Sequence, residues 1–212
     1  MGFEIDKATA AKITAATLQK EPSLRQLDQG QILLAQGFLR GHLAPGEEID
    51  IMTDDRISCD GLLLLTVQPE GEADYTFVHL VEGDPYREAT IQLVEEAIAS
   101  HPEGARFAVL ATSHSFGSGT ILQGTNAVFE KLTLALRTFV GNGRLDIRAV
   151  DREIVHPTSP YDLRFRRTRQ ENSLYYELSI GNTDFSLRFL EDQAQALASR
   201  PGTTKIIPDT WD

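Results

Sequence analysis

The sequence predicts an α+β fold, a largely antiparallel sheet that includes a C-terminal meander, with helices packed on one face. Three observations carry this expectation. From Arg144 to Leu190 apolar residues recur at every second position: Leu145, Ile147 and Ala149, then Leu163 and Phe165, then Leu174, Tyr176, Leu178 and Ile180, then Phe185, Leu187 and Phe189. Period two is the signature of strands with one face on a core and one in water. Turn-forming residues separate the runs, at His156-Pro157-Thr158-Ser159-Pro160, Gln170-Glu171-Asn172 and Gly181-Asn182. Finally, two segments upstream have helical spacing and explicit start or stop signals, so the meander has helices to pack against.

Taken in order, Ile5, Thr9, Ile13 and Ala16 fall at helical spacing, and Pro22 ends that amphipathic segment. Ser23 with Gln26 fits a capping box, which predicts a second helix running to Arg40 and ended by Gly41. Gly30 and Gly37 oppose it, each costing about 1 kcal/mol inside a helix, and a short helix followed by a strand over 31–39 is the competing assignment. After the Ala44-Pro45-Gly46 turn, Ile49 and Ile51 alternate with acids as a short strand does. Residues 61–68 and 74–81 flank Pro69-Glu70-Gly71-Glu72 as a hairpin, and the unbroken apolar run Leu62 to Leu65 predicts a strand covered on both faces. Asp84-Pro85 is a helix start, followed by Leu93, Val94, Ala97 and Ile98 on one side and closed by His101-Pro102. Phe107 to Ala111 reads as a buried strand and Thr112 to Gly124 as a loop of small residues. Thr125 or Asn126 then caps a helix carrying Val128, Phe129, Leu132, Leu136 and Val140, which Gly141-Asn142-Gly143 stops. Beyond the meander, Glu191 to Ser199 is helical and Pro201-Gly202 ends it, leaving a tail with Ile206, Ile207 and Trp211.

The 212 residues are 41% hydrophobic and 24% charged, with no linker separating two cores, so one domain spanning 1–212 is expected. Cys59 is the sole cysteine, which excludes an intramolecular disulfide. The acidic N-terminus lacks the pattern of a signal peptide, and no apolar run approaches membrane-spanning length. A cytoplasmic protein without membrane association is the expectation.

The net charge of −11 counts against a nucleic-acid partner, because duplex affinity comes largely from Lys and Arg neutralising phosphates. The charge is uneven. Between Arg137 and Arg188 nine Arg and no Lys face seven acids, a surplus of two positive charges, whereas the remainder holds 11 basic residues against 24 acids. With Leu163 and Phe165 turned to the core, the alternation puts Arg164 and Arg166 on the opposite face, and the same phase assigns Arg144, Arg148, Tyr175 and Arg188 there. Guanidinium groups beside an aromatic ring suit a carboxylate-rich or phosphate-rich partner, since they bond in pairs and stack. The same face is also what a solvated sheet with cross-strand ion pairs looks like, Asp146, Asp162 and Glu177 supplying the acids.

The remaining motifs fall short of enzyme chemistry. Ser113-His114-Ser115-Phe116-Gly117-Ser118-Gly119 lies between a strand and a helix, where free amides can hold an anion. Gly119 and Gly124 have the spacing of a phosphate loop, but Thr125-Asn126 stands where its Lys and Ser or Thr belong. His114 between two serines lacks the geometry that activates a hydroxyl in an extended chain. His79 shares a face with Tyr75 and Phe77 and has no second ligand at metal spacing; a satisfied or partly exposed histidine is expected there. Glu47, Glu48, Asp50, Asp54 and Asp55 lack calcium-loop spacing and read as a solvated edge. The expected function is therefore a non-enzymatic binding or assembly protein that meets an acidic protein partner, or a second copy of itself, through the Arg-bearing face, without metal or cofactor. The alternative is an enzyme or small-ligand protein whose anion-binding loop at 112–125 uses Ser113, His114, Ser115, Gly117 and Gly119.

Overall fold

Leu62 to Leu65 have neighbours on both sides, as their unbroken run of apolar residues predicts. All four are 0% exposed, Leu62 and Leu64 in one core cluster and Leu63 and Leu65 in another. The computed structural model describes residues 23–27, 31–53, 60–80, 88–112, 123–151, 162–181 and 183–208. In chain order the elements are β1 (Ser23–Gln26), β2 (Ile32–Leu43), β3 (Ile49–Thr53), β4 (Asp60–Val67), β5 (Ala73–Leu80), α1 (Glu88–Ser100), β6 (Ala105–Thr112), α2 (Gln123–Val140), β7 (Arg144–Asp151), β8 (Leu163–Gln170), β9 (Ser173–Ile180), β10 (Ser186–Leu190), a 3-10 turn (Glu191–Gln193), α3 (Ala194–Ala198) and β11 (Thr204–Pro208). The expected helix over 5–20, the Asp84-Pro85 helix start and Trp211 lie outside the described residues.

The strands follow one hydrogen-bonded path, β10-β9-β8-β3-β2-β5-β4-β6-β7-β11, with β1 also on β2. Strand β2 belongs to both halves of it. Its first residues, Ile32 to Leu34, pair with β3, and its last, Gly37 to Leu43, pair with β5. The two halves then face each other: Tyr75 packs on Phe165 with ring centres 5.6 Å apart, and Phe107 stacks on Phe189 at 4.9 Å. On the other side of the β5-β4-β6-β7 half, Phe38, Leu62, Leu64, Val78, Leu110 and Ile147 meet Leu93, Val94 and Ala97 of α1 and Leu132, Leu136 and Phe139 of α2. The result is three layers, helices on sheet on sheet, and the outer face of β3-β8-β9-β10 carries no helix among the described residues. Helices on one face of a mostly antiparallel sheet agree with the expectation at that level.

Two expectations need correction. Ser23–Gln26 forms β1 and Ile32–Leu43 forms β2, so the helix from Ser23 to Arg40 does not form and the competing strand over 31–39 does. Ile32 and Leu34 alternate into the core, and an inter-sheet position outweighs the capping pattern of Ser23 and Gln26. The second correction is to the meander. β8, β9 and β10 form it, with Leu163, Phe165, Tyr176, Leu178 and Phe185 buried and Leu187 packed against them, but β7 lies in the other half, parallel to β6 and β11. The α2 crossover between β6 and β7 explains this, because a strand-helix-strand connection returns the chain in parallel.

Candidate functional site

Two regions hold the chemistry-bearing side chains, one at an end of the inter-sheet core and one on the open face. The first is built around His79, which is 1% exposed. The ladder runs Gly37, His79, Gly61, Ala111 across β2, β5, β4 and β6, so the imidazole is flanked on both sides by residues without a Cβ. Its Nδ1 lies 2.8 Å from the Leu34 carbonyl oxygen. A carbonyl only accepts, so Nδ1 carries the proton and donates, and Nε2 is the basic nitrogen of the neutral ring. Beside it the two halves of the sheet come close: a Cβ on Gly61 would stand 2.8 Å from the Leu163 Cβ. Thr53, also buried, accepts a hydrogen bond from the Leu163 N–H at 2.9 Å and closes this end of β3 against β8.

The second region is the outer face of β3-β8-β9-β10. Arg164 donates to both carboxylate oxygens of Asp50, at 2.9 and 2.6 Å, and that bond raises its pKa above the ordinary arginine value. Arg166 stands in the ladder between Asp50 and Glu177, with its side chain 39% exposed and its Nε 3.9 Å from Asp50. Arg188 lies over the Tyr175 ring, 4.4 Å from its centre, and also donates to Gln170. Arg164, Arg166, Tyr175 and Arg188 thus share one face, as the alternation predicts.

Arg144 and Arg148 do not join them. They sit opposite the helix-facing Leu145 and Ile147 of β7, as their phase requires, but on that side they meet Asp184, Phe185 and Thr203. Arg144 bonds Asp146 at 2.6 Å, and Asp146 in turn accepts from the Thr203 N–H at 2.9 Å. Arg148 is buried, donates to the Thr203 carbonyl at 3.0 Å and lies over the Phe185 ring. Arg167, on the inward face of β8, is 0% exposed and holds the Ala44 and Gly71 carbonyls together with Glu191. Guanidinium groups of the Arg-rich segment therefore divide between structural bonds inside the protein and one open face.

Ser113, His114, Ser115, Gly117 and Gly119 lie outside the described residues. Among the described residues no cluster of three or more His, Cys, Asp or Glu is placed to hold a metal ion, and no helix is long and apolar enough to cross a membrane. Sequence reasoning passed over Gly37, Gly61 and Leu34 as partners of His79. Gly61, opening an otherwise unbroken apolar strand two positions after the sole cysteine, is the signal that pointed there.

No protein-family model matches the chain, and no curated protein matches it. Among solved structures it is similar to the C-terminal domain of CNFy from Yersinia pseudotuberculosis, with 9% sequence identity over 76% of this chain and a TM-score of 0.38. The chain spans 62% of that domain's length. A likeness at this level leaves function to be argued from this chain's own residues.

Proposed function

We propose that the protein is a thiol-dependent acyl-transfer enzyme, in which Cys59 is the nucleophile and His79 the base that activates it. The observation that carries this reading is the His79 to Leu34 hydrogen bond, which turns the basic Nε2 of a buried imidazole away from the backbone that orients it. Cys59 precedes Gly61 by two residues, and chain geometry keeps their Cα atoms within about 7 Å of each other. Gly61 itself stands opposite His79 in the ladder, while Cys59 lies outside the described residues. In such a pair Nε2 takes the thiol proton, the thiolate adds to the carbonyl carbon of an amide or ester, and the imidazolium returns the proton to the departing amine or alcohol. Water then releases the acyl group as the acid and restores the thiol.

The test needs no substrate. Because Cys59 is the sole cysteine, its alkylation by iodoacetamide is read by mass on the intact chain. A paired thiol reacts with an apparent pKa below the free value of about 8.5, and His79→Gln returns the profile toward it. Equal profiles in both proteins, or a Cys59 that no reagent reaches in the folded state, rule the pair out.

A second reading is favoured by one observation, the sharing of an uncovered face by Arg164, Arg166, Arg188 and Tyr175. Here the protein is a binding or assembly protein that engages an acidic partner or a second copy of itself. Light scattering at about 0.1 M and about 1 M salt tests the self-association version, because screening over that range removes attraction between exposed charges. A monomer at both salts excludes it.

A further inference from the structure

We infer that the open face of β3-β8-β9-β10 pairs with the same face of a second copy of this chain, about a two-fold axis that runs along the strands between β8 and β9. This rests on the binding reading of that face and is independent of the thiol reading. One ladder row carries it. Asp50 of β3 stands opposite Arg166 of β8, Arg166 opposite Glu177 of β9, and Glu177 opposite Arg188 of β10. All four point outward, because Ile51, Phe165, Tyr176 and Phe189 beside them in their strands are buried. Across four strands spaced about 4.8 Å apart the charges therefore read negative, positive, negative, positive.

Such a row is its own complement. A two-fold axis along the strands turns the second row end for end, so that Arg166 of one copy meets Glu177 of the other and Asp50 meets Arg188. In an isologous contact each of these pairs occurs twice. An axis along the row would instead set every residue on its own twin, like charge on like. The first axis also keeps the strands of the two copies aligned, as they are where twisted sheets pack face to face. On either side of the row the same turn brings no like charges together, since Thr168 meets Tyr175 and Arg164 meets Ser179. The inner pair carries the attraction. Arg164 already holds both oxygens of Asp50, and Arg188 lies on the Tyr175 ring, whereas the Arg166 side chain is 39% exposed with its Nε 3.9 Å from Asp50. About five residues on each of the four strands make a face of roughly 300 Å² in plan, which puts the dimer in the small, transient class below about 1,200 Å² of total buried surface.

Sedimentation of the whole chain over a range of concentrations tests this. The wild type is expected to dimerise at about 0.1 M salt and to dissociate at about 1 M, where exposed charges are screened. Arg166→Glu sets like charges against each other at both symmetric contacts and should weaken the dimer at least about tenfold, and Glu177→Arg should do the same. Mixed one to one, the two variants should dimerise again, because every contact across the mixed pair joins opposite charges. That recovery also shows both variants to be folded. If circular dichroism finds either reversal unfolded, Arg166→Gln takes its place, and a dimer that it leaves undiminished overturns the inference. So does a wild type that stays monomeric at the lower salt, a dimer that neither reversal weakens, or a pair of folded variants that mixing does not repair. The binding reading of the face fails differently, and poly-glutamate is its probe. A monomeric wild type that captures poly-glutamate, with capture lost in Arg166→Glu, keeps that reading while the two-fold pairing falls; a monomer that captures none ends both.

Discussion

The guanidinium of Arg167 and the carboxylate of Glu191 meet 3.3 Å apart beneath the turn at Gly71, joining β8 to the chain that follows β10. Arg167 is fully buried, and besides Glu191 it serves the Ala44 carbonyl at 3.0 Å and lies over the Tyr176 ring. Three separate chain segments thus share one cation.

Arg167→Met should therefore cost about 1–3 kcal/mol, the range for leaving buried acceptors unpaired, because the Ala44 and Gly71 carbonyls lose their donor while Glu191, whose side chain is 32% exposed, keeps its water. Arg167→Lys should recover little of it, because a single ammonium cannot reach two carbonyls and a carboxylate that a planar fork spans. Urea unfolding of the three proteins measures both effects. A loss below about 1 kcal/mol for Arg167→Met would show that the three segments hold together without it.

Gly61→Ala tests the closeness of the two sheet halves. The added Cβ would stand 2.8 Å from the Leu163 Cβ, so overpacking should destabilise the protein by about 1–3 kcal/mol. A double-mutant cycle with Leu163→Ala should show coupling, the second substitution costing less in the Gly61→Ala background than alone. Additive effects would place the strain elsewhere.

Burial lowers the His101 pKa to about 4, and the charges of Arg40 and Arg106 act in the same direction. Its two ring nitrogens lie 3.0 Å from the Thr66 and Thr76 hydroxyls. Between that value and the unfolded value of about 6.5 the unfolded chain binds the proton that the folded one refuses. His101 thus contributes stability that is present above pH 6.5 and lost as pH falls toward 4. His101→Gln should flatten this part of the stability profile, and an unchanged slope between pH 6.5 and 4 would contradict the shift.

On the open face Arg164 and Asp50 form a two-point ion pair, yet the Arg164 side chain is 35% exposed. A double-mutant cycle should give about 1 kcal/mol or less, shrinking with salt. By contrast Leu178→Ala, in the core between the sheets, should cost about 2–5 kcal/mol at any salt concentration. A large salt-insensitive coupling at Arg164 would mean that this face is less open to water than its exposure indicates.

The alternation at Leu163 and Phe165 and at Tyr176, Leu178 and Ile180, the solid apolar run of Leu62 to Leu65, and the Gly141-Asn142-Gly143 stop after α2 were legible in the amino-acid order alone. Each reports how a residue and its near neighbours are buried, and burial pattern is a local property. Tertiary structure decided which strands meet. A period of two is the same in parallel and antiparallel neighbours, so nothing in Leu145, Ile147 and Ala149 distinguishes a fourth strand of the meander from the parallel partner of β6 that β7 is. The same limit hid the shielding of Arg144 and Arg148, whose outward phase was right but whose face is covered by segments more than 30 residues away. It also hid the candidate site. Gly37, His79 and Gly61 come from three strands, and only their ladder register, with the Leu34 carbonyl 2.8 Å from the ring, makes one arrangement of them.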